Sequence, residues 1–282
     1  MAQATPGTIK GIDPIFPRPE VTERLAFAPG IRVSSDWDVL YISGISAYPP
    51  DVDPWNPGAF TLPADPAARG KMATDNLDRV LTAAGATWEH IIMQVSYAAP
   101  GGGGVDFRAK MGDWRPCSTS LRVNDTGIPG ANVLYQITAV APRRPPAAKG
   151  TVPGVEPILS RPEMMFAPAV KVGSSMDLVY FSSITAYPVD VDPWNAGNFK
   201  LPDDVDAQEK MVVDNLERML KAAGLGWQHT VLVARTGEVG RTNHLRDRMG
   251  TWRPAGTRRA VSTGVPGARV MYEITAAAPR RA

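Results

Sequence analysis

The chain has 282 residues, a formal charge of +2, and 44% hydrophobic against 21% charged residues. That balance is ordinary for a globular protein and gives no electrostatic reason to expect nucleic acid or an anionic membrane as partner. A lone cysteine, Cys117, excludes an intrachain disulfide, no apolar run is long enough to cross a bilayer, and Met1 to Glu20 lacks a signal-peptide pattern. A cytoplasmic protein is expected.

In chain order, the first element is a proline-rich leader, Gly7 to Glu20, which recurs as Gly150 to Glu163. The strand signal Val39-Leu40-Tyr41-Ile42-Ser43 recurs as Leu178-Val179-Tyr180-Phe181-Ser182. Next comes Ala47-Tyr48-Pro49-Pro50-Asp51-Val52-Asp53-Pro54-Trp55-Asn56, repeated with one change as Ala186 to Asn195. These segments hold too much proline for central strands, and Asp51 to Phe60 and Asp190 to Phe199 are predicted to be matching ordered loops that bury Trp55 and Trp194. The chain is therefore a duplication, with domains expected at 1–149 and 150–282 and a short joint at Pro145 to Lys149.

Ala67 to Ala84 is predicted as a helix, because Ala73, Leu77, Val80, Leu81 and Ala84 form one helical stripe; Val212, Leu216, Met219, Leu220 and Ala223 repeat it. Gly85 and Gly224 stand where a left-handed C-terminal cap belongs. Strands follow at Ile91 to Ala98 and Val231 to Ala234, then short helices at Val105 to Trp114 and Asn243 to Trp252. Paired strands close each copy, at Thr119 to Asn124 and Asn132 to Ala141, then Thr257 to Ser262 and Arg269 to Ala278. Each copy is an α+β unit, a mixed sheet with two helices on one face. On the last strand Val270, Tyr272, Ile274 and Ala276 share one face and Met271, Glu273 and Thr275 the other. The second face needs a cover its own helices cannot provide, which points to packing of sheet on sheet.

The ordered set Phe27-Ala28-Pro29, Tyr41-Ile42-Ser43-Gly44, Asp75-Asn76-Leu77, Ala83-Ala84-Gly85 and Ile128-Pro129-Gly130-Ala131, with its second copy from Phe166-Ala167-Pro168 to Val265-Pro266-Gly267-Ala268, resembles the Rid (reactive intermediate deaminase, YjgF-like) family. The resemblance covers nearly all of both halves. It implies two tandem chorismate-mutase-like domains, homotrimeric rings with clefts between neighbouring domains, and hydrolysis of imines or enamines to a carbonyl compound and ammonia. The family holds its substrate carboxylate with an arginine in Pro-x-Arg-Ser. Here those positions read Pro116-Cys117-Ser118-Thr119 and Pro254-Ala255-Gly256-Thr257, so the arginine is absent from both copies.

Glu273 matches a family pocket glutamate and is assigned as general base, with Gln136 in its place in the first copy. Arg258, two residues past the vacant arginine position, is expected to bind an anionic group; with the one-residue gap placed early, Arg259 takes that direction. Phe166 and Trp194 would form an apolar wall and Ser182 and Ser183 polar contacts; Phe27, Gly44, Trp55, Ser118 and Gln136 would line the first copy's cleft. No cofactor or metal is expected, and the partners are a small-molecule substrate and further copies of the chain. Related chemistry without ammonia release, as in chorismate-hydrolysing relatives of the fold, and a non-catalytic metabolite-binding module are the rival readings. Asp51, Asp53, Asp190 and Asp192 are read as turn acceptors, His90 and His229 as structural, Gly101 to Gly104 as a flexible loop and Cys117 as packing.

Overall fold

A computed structural model of the chain describes residues 9–15, 28–102, 107–143, 152–161, 163–238 and 243–280. The expected joint at 145–149 falls outside them. The first half contributes strands β1 (Ile12–Ile15), β2 (Gly30–Val33) and β3 (Trp37–Ile45), helix α1 (Pro66–Ala84), β4 (Ile91–Ala98), α2 (Arg108–Met111), β5 (Cys117–Arg122) and β6 (Val133–Pro142). The second contributes β7 (Val155–Ile158), β8 (Ala169–Val172), β9 (Met176–Tyr180), β10 (Ile184–Thr185), α3 (Val205–Ala222), β11 (Thr230–Gly237), α4 (His244–Met249), β12 (Ala255–Arg259) and β13 (Val270–Pro279).

The two long helices form where the stripes predict. Asp65 caps α1 by accepting from the amides of Ala67 and Ala68, and Asp204 caps α3 by accepting from Ala207. Gly85 and Gly224 end them at φ of 74° and 72°. The stripe of α1 is buried with Leu40, Ile42, Ile137 and Ala139, and that of α3 with Val233, Tyr272 and Ile274. Each fully buried leucine or valine there stabilises by about 1.5–3 kcal/mol. Ala223 is exposed, because α3 ends one residue before it.

Three elements differ from expectation. Helix α2 is only four residues long, ending before Gly112, whose φ of +56° lies in the left-handed region. The strand expected at Leu178 to Ser182 stops at Tyr180 and resumes at Ile184. In the first half β3 runs through this point because Gly44 has no Cβ; one would lie 2.6 Å from Leu134 Cδ1. Ser183 carries the side chain that Gly44 omits, and the strand breaks there.

The third difference is topological. The first sheet has the order β5-β4-β6-β3-β8-β7, so the hairpin β7–β8 of the second half completes the sheet of the first, with Val39 opposite Val172 and Tyr41 opposite Val170. The matching hairpin β1–β2 forms a separate two-stranded ladder. The second sheet has the order β10-β13-β11-β12, with β9 also on β13; β4–β5 is the parallel pair of the first sheet and β11–β12 that of the second. Sheets and sequence halves therefore do not coincide. The faces turned away from α1 and α3 meet across an apolar layer of Tyr41, Val170, Val172, Val231, Trp252 and Ala277, as the bare face of the last strand requires.

Candidate functional site

The repeated proline-aspartate-tryptophan loop is pinned to its helix by one buried amide. Asn76 Nδ2 donates to the carbonyls of Ser46 and Tyr48 at 3.0 and 2.8 Å, and Asn215 donates to Thr185 and Tyr187 at 3.0 and 2.7 Å. Tyr48 and Tyr187 hydroxyls close the other side onto the carbonyls of Pro129 and Pro266, both at 3.0 Å. Asp53 and Asp192 accept from the amides of Trp55 and Trp194, as turn acceptors should. These matched contacts explain why Tyr, Asn and Asp recur in both copies.

Alternation along β13 turns Glu273 away from the helix core. Ala234 lies opposite both Glu273 and Thr257, so these two share a face, and Arg259, two residues beyond Thr257, joins them. The Arg259 guanidinium donates to both carboxylate oxygens of Glu273, at 3.4 and 3.3 Å, and Ser183 Oγ donates to Oε1 at 3.4 Å. Tight charge-assisted pairs are shorter, about 2.7–2.9 Å, so both ions are held loosely and can engage a third group. Opposite them stands Gln136, which accepts from Tyr97 Oη at 3.2 Å, and the Arg259 guanidinium lies 5.6 Å from the Tyr97 ring. Burial raises the Tyr97 pKa; the charge of Arg259 opposes this and that of Glu273 adds to it. The resulting cavity of about 290 Å³ is lined by Gln136, Tyr180, Phe181, Ser182, Ser183, Arg259, Glu273 and Thr275. Gln136 and Glu273, expected in separate clefts, thus face one another.

A second cleft, of about 100 Å³, lies between the halves on the other side of β12. Gly44, Ser46, Tyr48 and Trp55 line it from the first half and Met164, Phe166, Gly256 and Arg258 from the second. The arginine position, Gly256, is covered by the Phe166 ring: a Cβ there would lie 2.3 Å from Phe166 Cγ. Ser43 Oγ accepts from the Gly256 amide at 2.8 Å and donates to the Ala167 carbonyl. The buried Arg258 guanidinium sits 4.7 Å above the Trp55 ring, a cation–π contact.

Arg258, expected in the cleft of Glu273, is not there. It lies opposite Arg235, which lies opposite Tyr272, so it projects from the opposite face to Glu273; Arg259 stands beside Glu273 instead. Trp194, expected to be buried, is 69% exposed, since its turn stands clear of both clefts. Ser118 accepts from Gln94 at 3.1 Å on the outer strand β5 and lines neither cleft. Phe27 lies outside the described residues. His90 and His229 accept from the amides of Thr87 and Gly226, a capping role, and burial lowers the His90 pKa. Burial pushes the Cys117 thiol up, away from reactivity. Among the described residues no cluster of His, Cys, Asp or Glu could hold a metal ion, and no helix is long and apolar enough to cross a membrane.

One cluster was not foreseen. On the helix side of the second sheet, Glu209 Oε2 accepts from Arg235 Nε and Nη2 at 3.2 and 2.9 Å, and Glu209 Oε1 accepts from Tyr272 Oη at 2.5 Å. Both charged side chains are at most 3% exposed. Burial opposes the Arg235 charge, but Tyr272 and Glu209 beside it raise its pKa overall. An arginine inside the apolar run Val231-Leu232-Val233-Ala234-Arg235 was the available signal.

No family model and no curated protein matches the chain. Solved structures of Rid proteins are among those it is similar to. The Rid-family protein YyfB of Yersinia pestis, a protein of unknown function, matches at 19% identity and TM-score 0.35, over 46% of this chain and 98% of its own. RidA from the Antarctic bacterium Psychrobacter matches at 20% identity and TM-score 0.28, over 46% and 91%. An Entamoeba histolytica protein labelled a candidate endoribonuclease L-PSP matches at 19% and 0.28, over 46% and 90%.

Proposed function

We propose that this chain is a cytoplasmic Rid-family hydrolase that converts a small imine, enamine or related unsaturated acid to a carbonyl compound in the Glu273 cleft. The observation that carries the reading is the loose fork between Arg259 and Glu273 beside Ser183, facing Gln136 across an open cavity. Arg259 holds the substrate carboxylate in place of the arginine that Phe166 excludes from position 256. Glu273 takes a proton from water as the water oxygen bonds to the C=N carbon and the π pair moves to nitrogen. That proton passes to the nitrogen; the new hydroxyl then gives its own proton, by way of Glu273, to the same nitrogen as the C–N bond breaks, which releases ammonia and leaves the carbonyl. An enamine enters the same path once its β-carbon is protonated.

Ammonia release from amino-acid-derived imines tests this. Arg259→Met should raise KM, and Glu273→Gln should lower kcat by about 10²–10⁴-fold, the usual contribution of a positioned base. Turnover of unsaturated acids without ammonia would move the reading to the chorismatase-like alternative. The ring over Gly256 favours a purely binding role, which stabilisation by small carboxylates without turnover would support.

The assembly we propose is a homotrimer. Tyr180 is 71% exposed whereas Tyr41, its match in the repeat, is buried, and Trp194 is exposed where Trp55 lies beneath Arg258. Leu121, on the outer strand β5, is exposed as well. A second copy docking on these surfaces would repeat between chains the contact that the halves make within one. Light scattering at micromolar concentration tests it, and a stable monomer would overturn it.

A further inference from the structure

The two halves are built on the same frame around the first turn of the long helix, yet one is filled and the other is hollow. In the second half Gln208 donates to the carbonyls of Pro202 and Gly267 at 2.7 and 3.0 Å. Arg69 stands in its place in the first half and makes the same two contacts, to Pro63 at 2.5 Å and Gly130 at 3.0 Å. The next residue differs: Glu209 becomes Gly70. Ser96, opposite Tyr135 in the ladder, replaces Arg235, opposite Tyr272. The tyrosine is kept, and Tyr135 is 3% exposed with its ring 4.6 Å from that of Phe107. The first half has thus lost a carboxylate and a guanidinium from beside a retained phenol.

A cavity of about 620 Å³ opens there, lined by Gly70 and Tyr135 together with Arg69, Lys71, Thr74 and Asn132. That is ample for a small metabolite, since ligand pockets run to about 300–1,000 Å³. Among the described lining residues two are cationic and none is acidic. We propose that this cavity binds a small carboxylic acid, whose carboxylate occupies the place of the Glu209 carboxylate beside the tyrosine, and whose apolar body lies along Leu62 and Ala73. The site is separate from the Glu273 cleft and does not depend on any reaction there.

Titration calorimetry with benzoate and butyrate, and with uncharged benzamide as control, tests the site. Wild type should bind both acids, and benzamide at least tenfold more weakly. Gly70→Glu with Ser96→Arg rebuilds the second half's ion pair in the cavity and should weaken binding at least tenfold. Gly70→Leu fills the same space without a buried charge and should do the same, which covers the case where the charged variant does not fold. Binding must persist in Arg259→Met, since loss there would place the acid in the other cleft. Failure of wild type to bind either acid, or undiminished binding by the filled variants, would overturn the proposal.

Discussion

Glu209→Ala breaks the buried ion pair from one side. The substitution takes the carboxylate away from the Arg235 guanidinium, at most 3% exposed, which keeps the Glu238 carbonyl at 2.5 Å, and removes the acceptor of Tyr272 Oη. Breaking a buried pair from one side costs about 3–5 kcal/mol. With a urea m-value of about 3 kcal/mol/M, the unfolding midpoint should fall by about 1–1.7 M at unchanged m. Replacing the whole cluster, as Glu209→Leu with Arg235→Met and Tyr272→Phe, removes all three of its polar side chains together and should lie within about 1 kcal/mol of wild type. Urea unfolding followed by tryptophan fluorescence measures both. A single variant as stable as wild type, or a triple variant as damaged as the single, would refute the reasoning that the loss comes from an uncompensated charge.

Asn76→Ala and Asn215→Ala each strip two bonds from buried carbonyls and should cost about 1–3 kcal/mol, with faster proteolysis in the loop that follows the affected carbonyls. Gly256→Arg should destabilise by about 1–3 kcal/mol through the clash with Phe166, and Phe166→Ala should restore part of it; thermal melts decide. The lowered His90 pKa means that the folded state prefers the neutral ring. Its contribution is complete above the ordinary histidine pKa of about 6.5 and is lost as pH falls below it. Stability measured from pH 7 to pH 5 should therefore decline less in His90→Asn, which keeps an acceptor without a titrating group. Trp194→Glu with Tyr180→Lys should shift light scattering toward monomer.

What was legible in the sequence depended on distance along the chain. The stripe from Ala73 to Ala84 and the alternation of β13 are local periodicities, and they placed α1 and the Glu273 face correctly. The left-handed glycines at 85 and 224 are likewise local requirements. The hairpin β7–β8 could not be read, since its residues suit either sheet and only tertiary packing selects the edge of β3. The choice between Arg258 and Arg259 turned on a one-residue gap, and a strand turns over completely with a shift of one. Trp194 misled because its motif matches Trp55 nearly letter for letter, whereas burial of Trp55 depends on Arg258, far away in the chain. The ion pair of Glu209 with Arg235 hid for the same reason, being a contact across 26 positions.

The proposed hydrolysis depends on activation of water by Glu273 in its cleft. The most direct test is the rate of ammonia release from an amino-acid-derived imine by Glu273→Gln at saturating substrate, beside wild type of equal thermal stability. Glutamine keeps the shape and can still accept from Arg259 and Ser183, but it cannot take a proton from water. The variant's kcat should be lower by at least about 10²-fold with little change in KM. Equal kcat values would contradict it.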